Sequence, residues 1–201
     1  ADLGTEVDRT AAALLARGLE KDDRLVVQLP NTVDAVIIFL AAARIGLIIS
    51  PVVMQYREHE IRYIIEKIEP AAFVTIPQFG GFDHDSLGHS LTDELADVQL
   101  VILNGTGESA LDLASADIGT VGHYRENNPV DAAEILTICW TSGTESRPKG
   151  VPRNHCHWVL NADVIVDAAG MVESDVLLNP FPLVNIGSIG GLVLPWLQLQ
   201  T

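Results

Sequence analysis

Apolar positions along the chain switch repeatedly between helical spacing and short continuous runs. Residues 6–17 read as a helix, with Val7, Ala11, Leu14 and Leu15 on one face and Gly18 just past its end. A strand over 24–29 follows. Asn31 is placed to cap a helix running to Ile45, with Asp34 in its first turn and Gly46 as its stop. That helix is apolar nearly all round, so it is expected to lie deep. The pattern then predicts a strand over 48–53, a helix over 57–68 carried by Ile61, Ile64, Ile65 and Ile68, and a strand over 71–76. Residues 77–97 are turn-rich and acidic, 100–103 form a short strand, and 104–133 read mostly as loop. A strand over 135–140, a helix from about 154 to 168, a strand over 175–179 and an apolar helix from about Ile186 complete the series. Alternation of this kind predicts an α/β fold: a doubly wound, mostly parallel sheet with helices on both faces. Hydrophobic residues make up 48% of the 201 and aromatics only 5%, so the apolar mass is aliphatic, as strands covered on both faces require. One domain is the expectation at this length.

The strand over 135–140 runs directly into Trp140-Thr141-Ser142-Gly143-Thr144-Glu145-Ser146-Arg147-Pro148-Lys149-Gly150-Val151. Thr141, Ser142 and Thr144 offer hydroxyl donors, Gly143 and Gly150 relax the backbone, and Lys149 adds a mobile positive charge. Backbone N–H groups in such a turn converge on one spot and cradle an anion; triphosphate best matches the donor set. The Walker pattern fails here, because Pro148 stands where its second glycine belongs and Gly150 where its Ser or Thr belongs. Gly105-Thr106-Gly107-Glu108-Ser109-Ala110 fits a dinucleotide fingerprint, with Glu126 at about the right distance for a ribose. No strand precedes Glu126, however, and a surface loop is the favoured reading.

The 141–151 run resembles the phosphate-binding signature of the adenylate-forming acyl- and aryl-CoA synthetases, commonly written (S/T)-S-G-(S/T)-T-G-x-P-K-G. The likeness extends to Leu29-Pro30-Asn31, to Ala41-Ala42-Ala43-Arg44-Ile45-Gly46, to His155, and to Phe181-Pro182-Leu183-Val184-Asn185-Ile186-Gly187, which is similar to the family's acyl-pocket motif. It spans roughly residues 7 to 191. The resemblance implies ATP-dependent activation of a small carboxylic acid as an acyl-adenylate, then transfer to a thiol, with coenzyme A as acceptor and magnesium accompanying ATP. It implies that Thr141, Ser142, Gly143, Thr144 and Lys149 hold the β- and γ-phosphates, with Glu145 beside them, and that Asn185 and Gly187 line the acyl pocket. Family members run to roughly two and a half times this length, consistent with several domains. Residues 1–201 are therefore expected to be an incomplete N-terminal ATP-binding domain, inactive alone, with the remainder and a small C-terminal domain outside them.

The signature departs from the family at Glu145 and Ser146, which replace the usual Thr-Gly pair. A carboxylate 4 Å from a phosphate charge costs about 4 kcal/mol at an effective dielectric near 20, so Glu145 is expected to face the metal or solvent. The departure leaves open a second reading: a non-catalytic nucleotide- or anion-binding relative with a regulatory or assembly role.

Charge narrows the partners. A formal net charge of −15 argues against nucleic acid and against anionic lipid surfaces. It fits a salt-loving source or, the favoured reading, a genome that prefers arginine; Lys21, Lys67 and Lys149 are the only lysines. No integral membrane segment is expected, since the most apolar region, 33–53, is interrupted by Arg44, Gly46 and Pro51. With no signal-peptide pattern at the start and Cys139 and Cys156 too few for a disulfide framework, buried free thiols in a reducing cytoplasm are expected. His155-Cys156-His157 does not converge on a metal, because consecutive helical side chains point about 100° apart. Asp83-His84-Asp85 reads as a solvated loop.

Overall fold

The computed structural model describes residues 2–95, 97–141 and 148–199. In chain order its elements are α1 (Leu3–Ala16), β1 (Arg24–Val27), α2 (Val33–Ile45), β2 (Ile48–Pro51), α3 (Glu58–Ile68) and β3 (Ala72–Thr75). A small antiparallel hairpin of β4 (Gln78–Phe79) and β5 (Phe82–Asp83) leads into α4 (His84–Glu94), β6 (Gln99–Ile102) and α5 (Gly119–Asn127). Then come β7 (Ile135–Thr141), β8 (Lys149–Asn154), α6 (His155–Ala169), a π-helical turn (Ile189–Val193) and α7 (Leu194–Leu199).

Six strands form one sheet in the order β6-β3-β1-β2-β7-β8. Every pairing is parallel except β7 with β8. Side chains alternate between the two faces, as a pleated strand requires. Leu25, Val27, Ala72, Val74 and Val101 join the cluster under α1 and α2. Val26, Phe73, Leu100 and Ile102 join the cluster under α3 and α4. Both faces are covered, which is why these strands are predominantly apolar. The fold is a doubly wound α/β sheet. Among the described residues no helix is long and apolar enough to cross a membrane.

The expected stop of α2 is in place: Gly46 takes a left-handed conformation, φ 76°, and its N–H reaches Ala42 O. Three expectations need correction. Asn31 does not cap α2; Thr32 stands at the N-cap position, without a side-chain cap bond. Residues 175–179 are not a strand: Val176 and Leu178 are 97% and 82% exposed, and no strand among the described residues pairs with them. The last helical segment starts at Ile189, not Ile186, because 186–188 turn before it. Helices α4 and α5 and strand β8 occupy stretches whose periodicity is weak: α5 buries only Val121, and β8 carries a glycine and a proline. Proline is tolerated there because β8 is an edge strand.

Candidate phosphate loop and acyl cleft

The candidate phosphate loop starts from the C-terminal end of β7, the end of a parallel sheet where ligand crevices form. Its two ends are tied by the antiparallel ladder, in which Thr141 faces Lys149 and Trp140 faces Gly150. Thr141 Oγ1 lies 3.5 Å from Lys149 O. Ser142, Gly143, Thr144 and Glu145 lie outside the described residues. Thr141 and Lys149 are both exposed, and Lys149 forms no ion pair among the described residues. Lys21, by contrast, is bound to Glu134 at 2.7 Å and to Pro129 O at 2.8 Å; the bond to Glu134 holds its ammonium more firmly protonated than usual.

Gly150 is required for a different reason than expected. It sits within β8, and a Cβ there would approach Ile138 Cγ2 to 2.8 Å and the Trp140 ring to 3.3 Å. Close approach across the ladder, not a turn, excludes a side chain. Trp140 is fixed in turn: its indole N–H donates to Ser50 Oγ at 2.7 Å, and its ring meets Tyr63 edge-on at 6.3 Å. The Tyr63 hydroxyl reaches Pro148 O at 3.3 Å. Neighbouring β2 and helix α3 therefore steady both limbs of the loop. Ser50 and Tyr63 carry no signal in the sequence, because nothing in local pattern joins positions 50, 63, 140 and 148.

Behind the loop, Trp158 of α6 is 1% exposed and donates its indole N–H to Thr137 Oγ1 at 3.0 Å, joining α6 to β7. Burial pushes the Cys139 thiol above its usual range. Cys156 is half-buried where burial was expected. His155, at the start of α6, is held below the ordinary histidine range by burial.

The run Phe181–Gly187, the candidate acyl-pocket motif, lies beside the residues that follow β1, where Asn31 bonds Phe181 and Leu183. Leu183 and Val184 line an apolar crevice together with Leu29, Phe39, Pro51 and Ile189. Leu183 also borders a more open cleft of about 450 Å³ with Val36, Leu177 and Trp196. Asn185 and Gly187 are both exposed, and Asn185 Oδ1 accepts from Ser188 N at 3.1 Å. Neither lines the crevice or the cleft.

One further cluster at this edge corrects the reading of 83–85 as a solvated loop. Asp83 caps α4 by accepting from Ser86 N, and His84 is only 1% exposed. His84 Nδ1 lies 3.2 Å from Gln28 Oε1, while Gln28 Nε2 donates to Val53 O at 3.0 Å and Tyr56 O at 3.1 Å. With both amide hydrogens committed, Gln28 Oε1 must accept, so His84 carries its proton on Nδ1. Burial first, and the Arg57 guanidinium second, hold His84 below the ordinary histidine range.

The chain is 29% identical over 199 residues to a salicylyl-CoA synthase / salicylate adenylyltransferase from a Streptomyces species, covering 92% of this chain and 36% of that protein. It is 26% identical over 191 residues to the medium-chain fatty-acid–CoA ligase of Escherichia coli, covering 92% and 33%. The chain thus spans about a third of the length of the curated relatives it matches. The crystal structure of ATP-bound MatB from Rhodopseudomonas palustris superposes with a TM-score of 0.72 at 24% identity, covering 94% of this chain and 36% of that one, and shows the same fold. The model of the AMP-binding enzymes matches residues 1–199. Since that match takes in almost the whole sequence, the chain belongs to the AMP-binding enzyme family.

Proposed function

We propose that this chain is part of the ATP-binding domain of an acid–thiol ligase, which converts a small carboxylic acid to an acyl-adenylate and passes the acyl group to a thiol, coenzyme A. The observation that carries this reading is the Thr141–Lys149 ladder pair. It closes the loop at the ligand end of the sheet, and the Lys149 ammonium has no ion-pair partner among the described residues of a chain of net charge −15. A carboxylate oxygen attacks the α-phosphorus of ATP and pyrophosphate leaves. Lys149 neutralises charge on that leaving group, and the Thr141 hydroxyl donates to a phosphate oxygen. Ser142, Gly143, Thr144 and Glu145 complete the proposed loop from outside the described residues. Magnesium is proposed to arrive with ATP. Among the described residues no group of three His, Cys, Asp or Glu side chains could hold a metal, so none is assigned to it. Asn185 and Gly187 keep a proposed place at the acyl pocket, in the segment whose Leu183 and Val184 line the crevice. The names of the relatives, a salicylyl-CoA synthase and a fatty-acid–CoA ligase, support both the acid and the acceptor. A reducing cytoplasm is the proposed compartment, in keeping with two free cysteines.

The Glu145-Ser146 departure favours one alternative, a relative that binds a nucleotide or anion without chemistry. Lys149→Ala in the full-length protein separates the two. A charge-assisted hydrogen bond is worth about 1.5–3 kcal/mol, so acid-dependent exchange of pyrophosphate into ATP should fall roughly ten- to a few-hundredfold. Thioester formation from supplied acyl-adenylate should change little. Equal losses in both half-reactions would contradict the assignment, and wild-type protein that binds ATP but exchanges no pyrophosphate with any acid would favour the alternative.

A further inference from the structure

Asn31 stands at the entrance to α2, where asparagine is among the best helix-capping residues and a cap is worth about 1 kcal/mol. It does not cap. The helix starts with Thr32 at the N-cap position and no side-chain cap bond at all. The Asn31 amide instead spans 150 residues of sequence: Nδ2 donates to Phe181 O at 2.7 Å, and Oδ1 accepts from Leu183 N at 3.1 Å. Both polar atoms of one side chain are thus spent on one short piece of backbone. A residue that breaks a local rule in favour of a distant contact marks a place where position matters more than helix stability.

The segment it holds is organised around the same carbonyl. Phe181 O also accepts from Ser188 Oγ at 3.3 Å, and Ser188 is fully buried. Ser188 Oγ accepts in turn from Asn179 Nδ2 at 2.8 Å, while Asn179 Oδ1 accepts from Phe181 N at 3.2 Å. Residues 179–188 therefore form a self-bonded loop with Asn31 as its tie to the β1–α2 corner. Between the two backbone groups that Asn31 grips lies Pro182, and immediately beyond them is the wall formed by Leu183 and Val184.

We infer that Asn31 is a positioning residue for acid specificity. Its amide sets where Leu183 stands, and so the width of the cleft of about 450 Å³ that Leu183 shares with Val36, Leu177 and Trp196, which receives the body of the carboxylic acid. This inference rests on the ligase reading above, and on the acyl-pocket assignment within it.

The test uses the full-length protein with Asn31→Ala and Asn31→Asp. Asn31 is itself exposed, so neither change opens the core. Acid-dependent exchange of pyrophosphate into ATP is measured across acids of increasing size, and hydrogen exchange is followed in peptides covering 179–189. Loss of two hydrogen bonds corresponds to about a tenfold effect. The KM for the preferred acid should rise about that much in Asn31→Ala, the ranking of acids by size should shift, and the KM for ATP should stay within about twofold. Exchange at 181–184 should quicken while β1 keeps its protection. Asn31→Asp retains an oxygen for Leu183 N but has no donor for Phe181 O, so it should keep Leu183 protected. Parallel changes in both KM values, an unchanged acid ranking, or unchanged exchange at 181–184 would overturn the inference. Should the wild-type protein exchange no pyrophosphate with any acid, the ligase reading fails, and with it the specificity role; the hydrogen-exchange arm alone then still tests whether Asn31 holds the loop.

Discussion

Replacing Gln28 by methionine keeps the size of a fully buried side chain and removes its three hydrogen bonds, two given by Nε2 and one accepted by Oε1. The three losses are not equal. Tyr56 O keeps a bond from the Arg57 guanidinium at 2.8 Å, and Val53 O keeps one from Tyr56 N at 3.1 Å. Each of those bonds therefore counts at the net value of about 0.5–1.5 kcal/mol. The Nδ1–H of His84 has no other acceptor among the described residues, and an orphaned buried donor costs about 1–3 kcal/mol. The expected total is about 2–6 kcal/mol, felt wherever the β1 edge, the 52–57 loop and α4 open together. Hydrogen exchange of the full-length protein reads this directly: a loss of that size quickens exchange of the slowest amides there by roughly 30-fold to about 20,000-fold. A second variant, His84→Leu, removes the orphaned donor. In the Gln28→Met background it should therefore cost about 1–3 kcal/mol less than it costs alone. Additive effects, or a Gln28→Met change below about 0.5 kcal/mol, would show that the amide is not the joint between these loops.

Acid should weaken the folded protein through the same histidine. His84 and His155 are held neutral by burial, with pKa values below the ordinary one, so in the unfolded chain both take up protons first, from about pH 6.5 downward. Their contribution is complete above that pH and is lost as pH falls towards the depressed folded values. The urea midpoint should therefore drop less between pH 7.5 and 5.5 in His84→Gln than in the wild type, and an equal or larger drop would refute the linkage. Gly187 and Gly190 should differ in tolerance: at Gly190 a new Cβ runs into Asn161 Oδ1 and comes within 3.1 Å of Trp158, whereas at Gly187 it meets only Asn185 Oδ1 at 3.4 Å. Gly190→Ala should cost about 1–3 kcal/mol and Gly187→Ala less than about 0.5 in thermal melts, and equal losses would contradict this packing.

Much of the sheet was legible because its strands are buried on both faces and announce themselves by aliphatic runs. Helix α3 was legible because Ile61, Ile64 and Ile65 fall on one buried stripe. Helix α4 was not: it buries Leu87 and Leu91 but spends the position after Leu87 on Gly88, where a Cβ would approach Leu100 Cδ1 to 2.6 Å. The need for that glycine lies on β6, outside any local window. Strand β8 was hidden by Pro152, which an edge position permits. A candidate phosphate loop could be read from its residues, since hydroxyls, glycine and lysine crowd into one run. Its supports could not. Ser50, Tyr63 and the clamp from Asn31 act across sequence separations of 85 to 152 residues, and for Asn31 the local capping signal pointed elsewhere.

The strand order has a consequence for how the molecule is made. Read in order of synthesis, β2 adds beside β1, β3 adds to the other side of β1, β6 adds to β3, β7 to β2 and β8 to β7. Each new strand meets an edge that is already there and still open. Among the described residues no strand has to wedge between a pair already joined. A chain leaving the ribosome from its N-terminus can therefore assemble this sheet outward in both directions without undoing earlier pairings. The β7–β8 ladder that brings Thr141 opposite Lys149 is the last of these additions, so the two ends of the candidate anion site meet only on a platform that has already set.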